Sequence, residues 1–441
     1  MPKMMGMNST QIRWLFLAAG AWLIQSYDIG LISVVLLPFK TQYHLTAGDV
    51  GLLAASATVG IVIGVVPSGQ LADRIGRKRL LVTALLWYSV VTVLTGFVSS
   101  WQAVLVLRFV AGLGLGALFP LPYTLLTELA PGRVRGRVVG ILDAFLSVGY
   151  FAAPLIGGWI GAAGLVHGWR TLFFLGGVGI PYALLLIWMM PESPRWLMAV
   201  GRQREAEAIW ARSGQENEPV PVGKGTRFPL TVVFRRPYLR RTIMVWIAFP
   251  SILFVFYAIM TYMPSILTKE HLKTSVALEF AAFIMLASIP GKLFESWLVE
   301  HVGRKTVIVS FTLLAALAAL LFPGAHSGPA IILVGMMLAF FGIAVDPAMK
   351  VYAAEQYPTP IRSTGVGMGE GIARLLGGAL APYIMALILE NAGVRGSFIF
   401  VALSAVLGAL AVAVLGQETR GRALADHVEG LAVPRKTPRL R

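Results

Sequence analysis

A short charged phrase that occurs twice between long apolar runs constrains the fold of this chain most. The first copy is SGQLADRIGRKR at 68–79, and the second is SWLVEHVGRK at 296–305. Both copies keep an acidic residue, a glycine and an Arg-Lys pair in register. A second spacing also recurs, at Glu128, Pro131 and Arg135 and again at Glu355, Pro358 and Arg362. Such duplication within apolar sequence predicts a membrane protein made of two repeated halves.

The composition agrees with a chain that lies mostly in lipid. Of its 441 residues, 57% are hydrophobic and 13% are charged, against about 25% charged residues in soluble domains. Apolar runs of about 18 or more residues predict an all-α membrane protein with twelve spans. We place the spans at 13–37, 49–72, 80–98, 101–126, 137–163, 169–190, 242–268, 275–299, 306–323, 329–354, 364–389 and 396–416. The first run is long enough to remain a span, and no removable signal peptide is expected.

The formal net charge of +16 reflects where the positive residues lie along the chain. Most Lys and Arg residues fall in alternate loops and in the tail, which predicts that both termini and the middle loop are cytoplasmic. The excess charge then indicates lipid contact and no nucleic-acid partner. The pattern fits a bacterial inner membrane. The chain has no cysteine, and its six scattered histidines indicate no metal site, so we expect neither a cofactor nor an enzyme.

The same pattern divides the chain into four parts. We expect a first six-helix bundle at 1–190 and a second at 242–416. Between them, 191–241 is predicted to be a linker with a short amphipathic helix, followed by a polar segment rich in Pro and Gly. The basic stretch at 417–441 is predicted to be a flexible tail.

Five motifs in order resemble the major facilitator superfamily, and within it the branch that holds the sugar porters. They are GQLADRIGRK, YDIG at 27–30, ELAPGRVRG at 128–136, PESPRWL at 191–197 and QETRG at 417–421. The resemblance covers nearly the whole chain. It implies two six-helix bundles related by a pseudo-two-fold axis, with a central site that opens alternately to each side.

The resemblance also implies a cytoplasmic gate in the duplicated loops. Its charged residues would join the helix ends when the inner side is shut. An exposed ion pair is worth about 0–1 kcal/mol, so several together can bias a two-state equilibrium. The alternative is that these charges only fix topology. The residues are Asp73, Arg77, Glu128 and Arg135 in the first half, and Glu300, Arg304, Glu355 and Arg362 in the second.

Two ionisable residues of the first half lie at membrane depth, where charges are costly and mark functional sites. Asp28 lies roughly 22 Å from the inner end of span 1, and Arg108 roughly 10 Å below the outer end of span 4. In a core about 30 Å thick these depths nearly coincide, so the two residues can pair. By resemblance to proton-coupled sugar porters, Asp28 would carry the proton and Arg108 would tune its pKa. A static ion pair is the alternative.

The second half carries two acid–base pairs spaced by four residues. Asp346 and Lys350 lie on span 10, and Glu370 and Arg374 lie on span 11. Each pair can neutralise itself on one helix face, or its cation can bind a substrate anion. Arg374 lies roughly midway through the membrane, where transporter substrates bind. Its segment, GIARLLGGALAPY, resembles the matching helix of organic-anion, aromatic-acid and nicotinate carriers.

Three further charged residues within the spans and a set of aromatic residues are also candidates. Asp143, Lys292 and Glu295 lie nearer the cytoplasmic ends and are expected to serve structure or gating. Sugar porters typically place amide side chains in spans 5 and 7, and this chain has none there. Aromatic side chains suit a planar or partly apolar molecule, although each alone is also a plausible packing residue. The aromatic candidates are Tyr123, Tyr150, Phe256, Tyr257 and Tyr262.

These features favour a monomeric secondary active transporter that moves a small organic anion, such as an aromatic or heterocyclic carboxylate, by proton symport. Its partners would be the substrate, protons and membrane lipid. An organic-cation carrier, a sugar carrier and an uncoupled facilitator of the same fold remain open. A sensor is disfavoured, because such proteins usually carry a larger cytoplasmic domain than 191–241.

Overall fold

The computed structural model describes residues 7–130, 135–162, 168–213, 230–236, 238–358 and 361–420. Within these ranges the chain is helical, without a β-strand, and twelve helical stretches are long and apolar enough to cross a membrane. The prediction of an all-α membrane protein with twelve spans is confirmed.

The first six spans are formed by eight helices. Span 4 is divided into α4 and α5, and span 6 into α7 and α8, with a 3₁₀ turn at Gly176–Val178. The helices are α1 (Ser9–Gln42), α2 (Ala47–Ile75), α3 (Arg77–Thr95), α4 (Trp101–Leu118), α5 (Leu121–Leu129), α6 (Arg135–Ala162), α7 (Gly168–Leu175) and α8 (Gly179–Met189).

Two short helices of the linker follow, and then the second six spans. Spans 8 and 10 are each divided into two helices, and a π-helix at Arg374–Leu380 divides span 11. The helices are α9 (Pro194–Ala199), α10 (Gln203–Ser213), α11 (Leu239–Lys269), α12 (Thr274–Leu286), α13 (Ser288–Val302), α14 (Arg304–Leu321), α15 (Gly328–Gly342), α16 (Val345–Glu355), α17 (Arg362–Ala373), α18 (Ala381–Asn391) and α19 (Gly393–Leu415).

Helix ends differ from the predicted spans where local hydrogen bonding continues a helix past its apolar stretch. Span 1 was expected from residue 13, but α1 begins at Ser9. Asn8 accepts a hydrogen bond from the Gln11 backbone, and the Gln11 side chain accepts one from the Asn8 backbone. This reciprocal capping box satisfies N–H groups that would otherwise lack partners.

Helix breaks occur in spans that carry candidate site residues. Span 4 breaks at Phe119 and Pro120, directly before Tyr123. Span 10 breaks at residues 343–344, directly before Asp346. Proline lacks the N–H that continues a helix, and in membranes neighbouring groups must satisfy the freed carbonyls. The site residues therefore lie beside interrupted backbone.

The face of the bundle that carries α9 and α10 is called the linker face below. At the opposite face the two halves are in close contact, through α2 against α18 and α6 against α12. A Cβ atom on Gly51 would lie 2.9 Å from Tyr383 Cα, and one on Gly158 would lie 3.3 Å from the Ser275 carbonyl oxygen. The absence of side chains at these glycines lets the halves close at this face.

Candidate functional site

Asp28 and Arg108 form an ion pair enclosed in the first bundle. Arg108 donates to the two carboxylate oxygens of Asp28 at 3.0 and 2.9 Å, and to the Asp28 carbonyl oxygen at 3.2 Å. Thr92 Oγ1 donates a further bond to Asp28 Oδ1 at 2.7 Å. Both side chains of the ion pair are 1% exposed. The expected pairing is therefore present, and the proton-carrying role of Asp28 stays a prediction.

Span 6 covers this ion pair. The guanidinium carbon of Arg108 lies 5.9 Å from the ring centre of Phe173. A Cβ atom on Gly176 would lie 2.7 Å from Thr92 Cγ2, so the 3₁₀ turn packs directly against the residue that hydrogen-bonds Asp28. A charge pair excluded from water in this way interacts strongly, because the local dielectric is low.

Arg374 lies at the centre of the second candidate region. It donates to Glu370 Oε1 at 2.7 Å, so the pair neutralises itself one helical turn apart. Its guanidinium carbon also lies 3.9 Å from the ring centre of Phe119, which belongs to the other half of the chain. The Arg374 Nε atom is buried and has no hydrogen-bond partner. Arg374 therefore bridges the two halves and retains an unused donor.

The π-helix places Arg374 at a local change of helix geometry. π-Helical turns occur often at functional sites. The following glycines bring neighbouring spans close: a Cβ atom on Gly377 would lie 2.4 Å from the Pro250 carbonyl oxygen, and one on Gly378 would lie 3.1 Å from the Tyr257 ring. Span 11 consequently reaches the aromatic stretch of span 7.

Asp346 and Lys350 also pair along one helix, at 2.7 Å. Asp346 Oδ1 is buried without a hydrogen-bond partner. Both cations that we expected to bind substrate, Lys350 and Arg374, are thus held by their own acids in this conformation. The self-neutralised alternative describes the observed state.

Three of the aromatic candidates form one cluster across the halves. Tyr150 and Phe256 pack edge to face at 5.4 Å between ring centres, and Phe256 and Tyr257 do so at 5.1 Å. Tyr150 belongs to span 5, whereas the other two belong to span 7. The cluster could provide flat apolar contacts for a planar ligand.

The other two aromatic candidates have their hydroxyl groups engaged. Tyr123 donates to Asp143 Oδ1 at 2.6 Å and packs edge to face on Trp22 at 4.4 Å. Tyr262 donates to the Pro382 carbonyl oxygen at 2.6 Å, a contact between spans 7 and 11. Tyr262 therefore acts as a packing residue in the observed state.

Lys292 and Glu295 lie deeper in the protein than their position in span 8 indicated. Their side chains are buried, with residue exposures of 4% and 1%. Lys292 Nζ lies 3.4 Å from the Asp143 carbonyl oxygen, which is a contact between the halves. Neither residue forms an ion pair within the described part of the chain.

The duplicated loops build a charge network at the linker face. In the first half, Arg77 lies 2.8 Å from Asp73 and 3.9 Å from Glu128. The Glu192 carboxylate accepts from the Lys78 backbone at 2.9 Å. Ser193, the next residue, donates to Glu128. The end of span 6 is thereby tied to the loop between spans 2 and 3.

The second half repeats most of this network. Arg304 lies 3.2 Å from Glu355. Glu418 accepts from the backbones of Arg304 and Lys305 at 3.0 and 3.1 Å, and Thr419 donates to Glu355. Every one of these bonds lies within one half. The predicted joining of the two halves by these residues stays a prediction.

The remaining gate candidates have other surroundings. Glu300 is exposed and has no ion-pair partner among the described residues. Arg362 donates to the Tyr357 carbonyl oxygen at 3.4 Å. The side chain of Arg135 lies outside the described residues. Sequence reasoning missed Glu192, Ser193, Glu418 and Thr419 as network members, although an acid followed by a hydroxyl residue after the last span of each half was a visible repeat.

A helical bundle of twelve spans, with buried charge pairs at membrane depth and repeated charge networks at one face, defines a membrane transporter. A model of the "Sugar (and other) transporter" family matches residues 14–429. The chain belongs to this family of the major facilitator superfamily, as the motifs indicated, and it is not an enzyme.

Named relatives cover most of the chain. It is 31% identical over 413 residues to the niacin transporter NiaP of Acinetobacter baylyi, covering 91% of this chain and 93% of that protein. It is 29% identical to a putative niacin/nicotinamide transporter of Bacillus subtilis, covering 93% and 97%. The 4-hydroxybenzoate transporter PcaK of A. baylyi is 27% identical, covering 89% and 87%.

The fold is shared with the xylose transporter XylE of Escherichia coli in a partially occluded, inward-open conformation. The TM-score is 0.78 at 20% identity, and the match covers 95% of this chain and 100% of the other. The predicted arrangement of two pseudo-symmetric six-helix bundles is confirmed.

Proposed function

We propose that this transporter moves a small aromatic or heterocyclic carboxylate, with nicotinate as the first candidate, by proton symport. The observation that carries the substrate class is the position of Arg374. This buried cation stacks on Phe119 of the other half and lies beside Tyr257 on span 7. A cation next to flat rings suits a planar anion.

The relatives support the same substrate class. Two of them are described as niacin transporters, and a third as a 4-hydroxybenzoate transporter. Niacin and 4-hydroxybenzoate share a six-membered aromatic ring with one carboxyl group. The absence of amide side chains in the relevant parts of spans 5 and 7 argues against a sugar.

In this proposal Arg374 exchanges partners. It leaves Glu370 for the substrate carboxylate, while its Phe119 contact persists. The exchange requires little movement, because Arg374 has an unused Nε donor and Glu370 is 35% exposed on its side chain. A hydrogen bond between charged groups contributes about 1.5–3 kcal/mol.

Coupling is assigned to the first half. Asp28 would bind the proton, and separation from Arg108 during the conformational change would favour proton uptake, because a nearby cation stabilises the carboxylate. We place the linker face in the cytoplasm of a bacterial inner membrane, with both termini on that side. The closed opposite face then corresponds to an inward-facing monomer.

Two alternatives have weaker support. An organic cation would need an available carboxylate, and Asp28, Asp346 and Glu370 are each paired with a cation. The buried Glu295 carboxyl has no ion-pair partner among the described residues, but the Lys292 ammonium lies one helical turn away and acts against a second cation there. An uncoupled facilitator would keep the anion site and lose only the role of Asp28.

Thermal stabilisation of the purified protein tests the substrate class. The panel is nicotinate, 4-hydroxybenzoate, an aliphatic acid, an organic cation and xylose, each with wild type, Arg374→Ala and the exposed control Arg395→Ala. A ligand at 100 times its dissociation constant adds about 2.7 kcal/mol. We expect stabilisation by the aromatic acids that Arg374→Ala loses and Arg395→Ala keeps. Stabilisation by the cation or xylose alone would overturn the proposal.

A further inference from the structure

The span 8 residues Lys292 and Glu295 are two buried ionisable groups that the proposed transport cycle leaves unused. They lie one helical turn apart on α13, about 15 and 10 Å from its end at the linker face. At such depth an ionisable side chain is costly unless it is paired or functional. Here neither has an ion-pair partner within 4.0 Å in the described part of the chain.

Lys292 differs in this respect from the other cations near the centre. Arg108, Lys350 and Arg374 each contact a carboxylate at 2.7–2.9 Å. Lys292 has one long contact, to a backbone carbonyl on the opposite half. An ammonium group has three donors. Lys292 is therefore the cation most ready to accept an anion.

Glu295 is similarly short of partners. Its Oε1 atom is buried without a hydrogen bond, and its Oε2 atom has only a 3.4 Å contact with the hydroxyl of the adjacent Ser296. An ionised carboxylate normally accepts several bonds when it is buried. A protonated carboxyl group has fewer unmet requirements in such a place.

The charges that face this pair come from two neighbouring helices. Asp143 approaches from α6, and Asp346 and Lys350 approach from α16. α15 has no charged residue, and Phe340 of that helix packs against Phe294 of α13. On α14, Arg304 pairs with Glu355 at the linker face. Two acids and one base therefore face the pair, and one of these acids, Asp346, is already bound to the base, Lys350.

We propose that Lys292 and Glu295 form a second protonation site that couples proton binding to substrate binding. At alkaline pH and without substrate, the ammonium and the ionised carboxylate balance each other through space. Asp346 is close enough to both Lys292 and Arg374 to interact with each, so one carboxylate can contact both cations. When the substrate carboxylate that Arg374 binds also contacts Lys292, one proton from the solution binds a Glu295 oxygen, and the substrate contributes the balancing negative charge. The pair itself gains one positive charge, and the net charge of the buried site, counted with the bound substrate, is unchanged. The site lies between the halves, so it is rearranged when they move.

This inference rests on the proposed function for the nature of the anion, and its test separates the two. Nicotinate binding to the full-length protein is measured by calorimetry between pH 5.5 and 8.5, in two buffers of different ionisation enthalpy so that proton uptake is counted. We expect wild type to take up about one proton per nicotinate at alkaline pH, with the Kd rising up to about tenfold per pH unit. In Glu295→Gln the uptake and the pH slope should disappear, and alkaline binding should persist.

Glu279→Gln is the matched control, because it makes the same change in the same span at a residue outside the site. It should keep the wild-type slope. Lys292→Gln should weaken binding at least about tenfold and abolish proton uptake. A Glu295→Asp variant, which keeps a titrating carboxyl group, should retain the slope and provides a second test if Glu295→Gln does not fold.

Wild-type proton uptake that persists in Glu295→Gln, or in Lys292→Gln, overturns the second site and leaves the proposed function standing. Wild-type binding without proton uptake would also overturn the second site and leave the proposed function standing. Failure of wild type to bind nicotinate or 4-hydroxybenzoate at any pH overturns both.

Discussion

The two halves of this transporter are alike at the linker face and different at membrane depth. At that face, Arg77 with Glu128 and Arg304 with Glu355 occupy equivalent places. Inside the membrane, the first half has one enclosed pair that joins two spans. The second half has pairs formed along single helices, together with the unpaired Lys292. The repeated contacts therefore lie at the linker face, whereas the arrangement of charges inside the membrane differs between the halves.

The pairing geometry decides how costly each pair is to break. Asp28 and Arg108 are both 1% exposed, whereas Glu370 is 35% exposed beside Arg374. Glu370 can be hydrated if it loses Arg374, whereas Asp28 cannot be hydrated if it loses Arg108. The first pair is therefore the more costly to separate, and the second is the less costly.

Removing one cation from each half gives the largest expected effect. Arg108→Gln leaves Asp28 buried without its cation, which costs about 3–5 kcal/mol of unfolding free energy. Arg374→Gln should cost less, about 1–2 kcal/mol, because Glu370 is partly exposed and the main losses are the ion pair and the Phe119 contact. Thermal unfolding in detergent measures both. Equal losses in the two variants would contradict the difference between the halves, and the double variant Asp28→Asn/Arg108→Gln should recover part of the stability.

The next effect concerns closure of the face opposite the linker. Gly51→Val places a side chain against the Tyr383 backbone. Overpacking costs about 1–3 kcal/mol, which shifts a two-state equilibrium by about 5- to 150-fold. The chain has no cysteine, so a reporter Thr58→Cys between the halves can be labelled specifically from that face.

We expect faster labelling of this reporter in Gly51→Val and slower transport. Gly140→Val is the control, since a Cβ atom there meets nothing within 4 Å. Unchanged labelling in Gly51→Val would contradict closure at this contact.

A smaller effect is expected from Arg374→Lys, which keeps the charge and loses the planar group over Phe119. Cation–π contacts contribute about 0.5–2 kcal/mol, so nicotinate affinity should fall about 2- to 30-fold. Arg395→Lys at an exposed position should have no effect on affinity. Wild-type affinity in Arg374→Lys would show that shape at this site is unimportant.

The smallest expected effect concerns the charge network that is repeated at the linker face. Burial acts to raise the pKa of Glu418, but backbone N–H donors outweigh it and hold that pKa below its ordinary value. The carboxylate therefore stabilises the fold above a pH of about 4.3, the ordinary glutamate value, and this contribution is lost as pH falls through the lowered pKa.

Glu418→Gln should consequently cost about 1 kcal/mol or less at pH 7 and approach zero cost under acid. Glu192→Gln at the equivalent place should have a similar cost at pH 7. A cost for Glu418→Gln that grows toward low pH would contradict this role.

Much of this organisation could be predicted from sequence. Span number and order followed from hydropathy, because lipid leaves few ways to satisfy the backbone. The pairing of Asp28 with Arg108 followed from depth alone. The charged loops were recognised because the same spacing of acidic and basic residues occurs twice.

Other features depend on packing that sequence spacing does not encode. The contact of Arg374 with Phe119 joins the two halves, and no local pattern predicts it. Lys292 and Glu295 were assigned to structure or gating from their distance to the helix end. Their lack of partners emerged only once α6 and α16 were placed around them.

The most direct test of the central claim is nicotinate accumulation in proteoliposomes under an inward-directed proton gradient, with wild type, Asp28→Asn and the control Asp49→Asn, a partly exposed residue in the first turn of α2. We predict that wild type and Asp49→Asn accumulate nicotinate above the external concentration. Asp28→Asn should only equilibrate it. Accumulation by Asp28→Asn equal to that of wild type, or equilibration without accumulation by wild type, would contradict proton coupling through the first half.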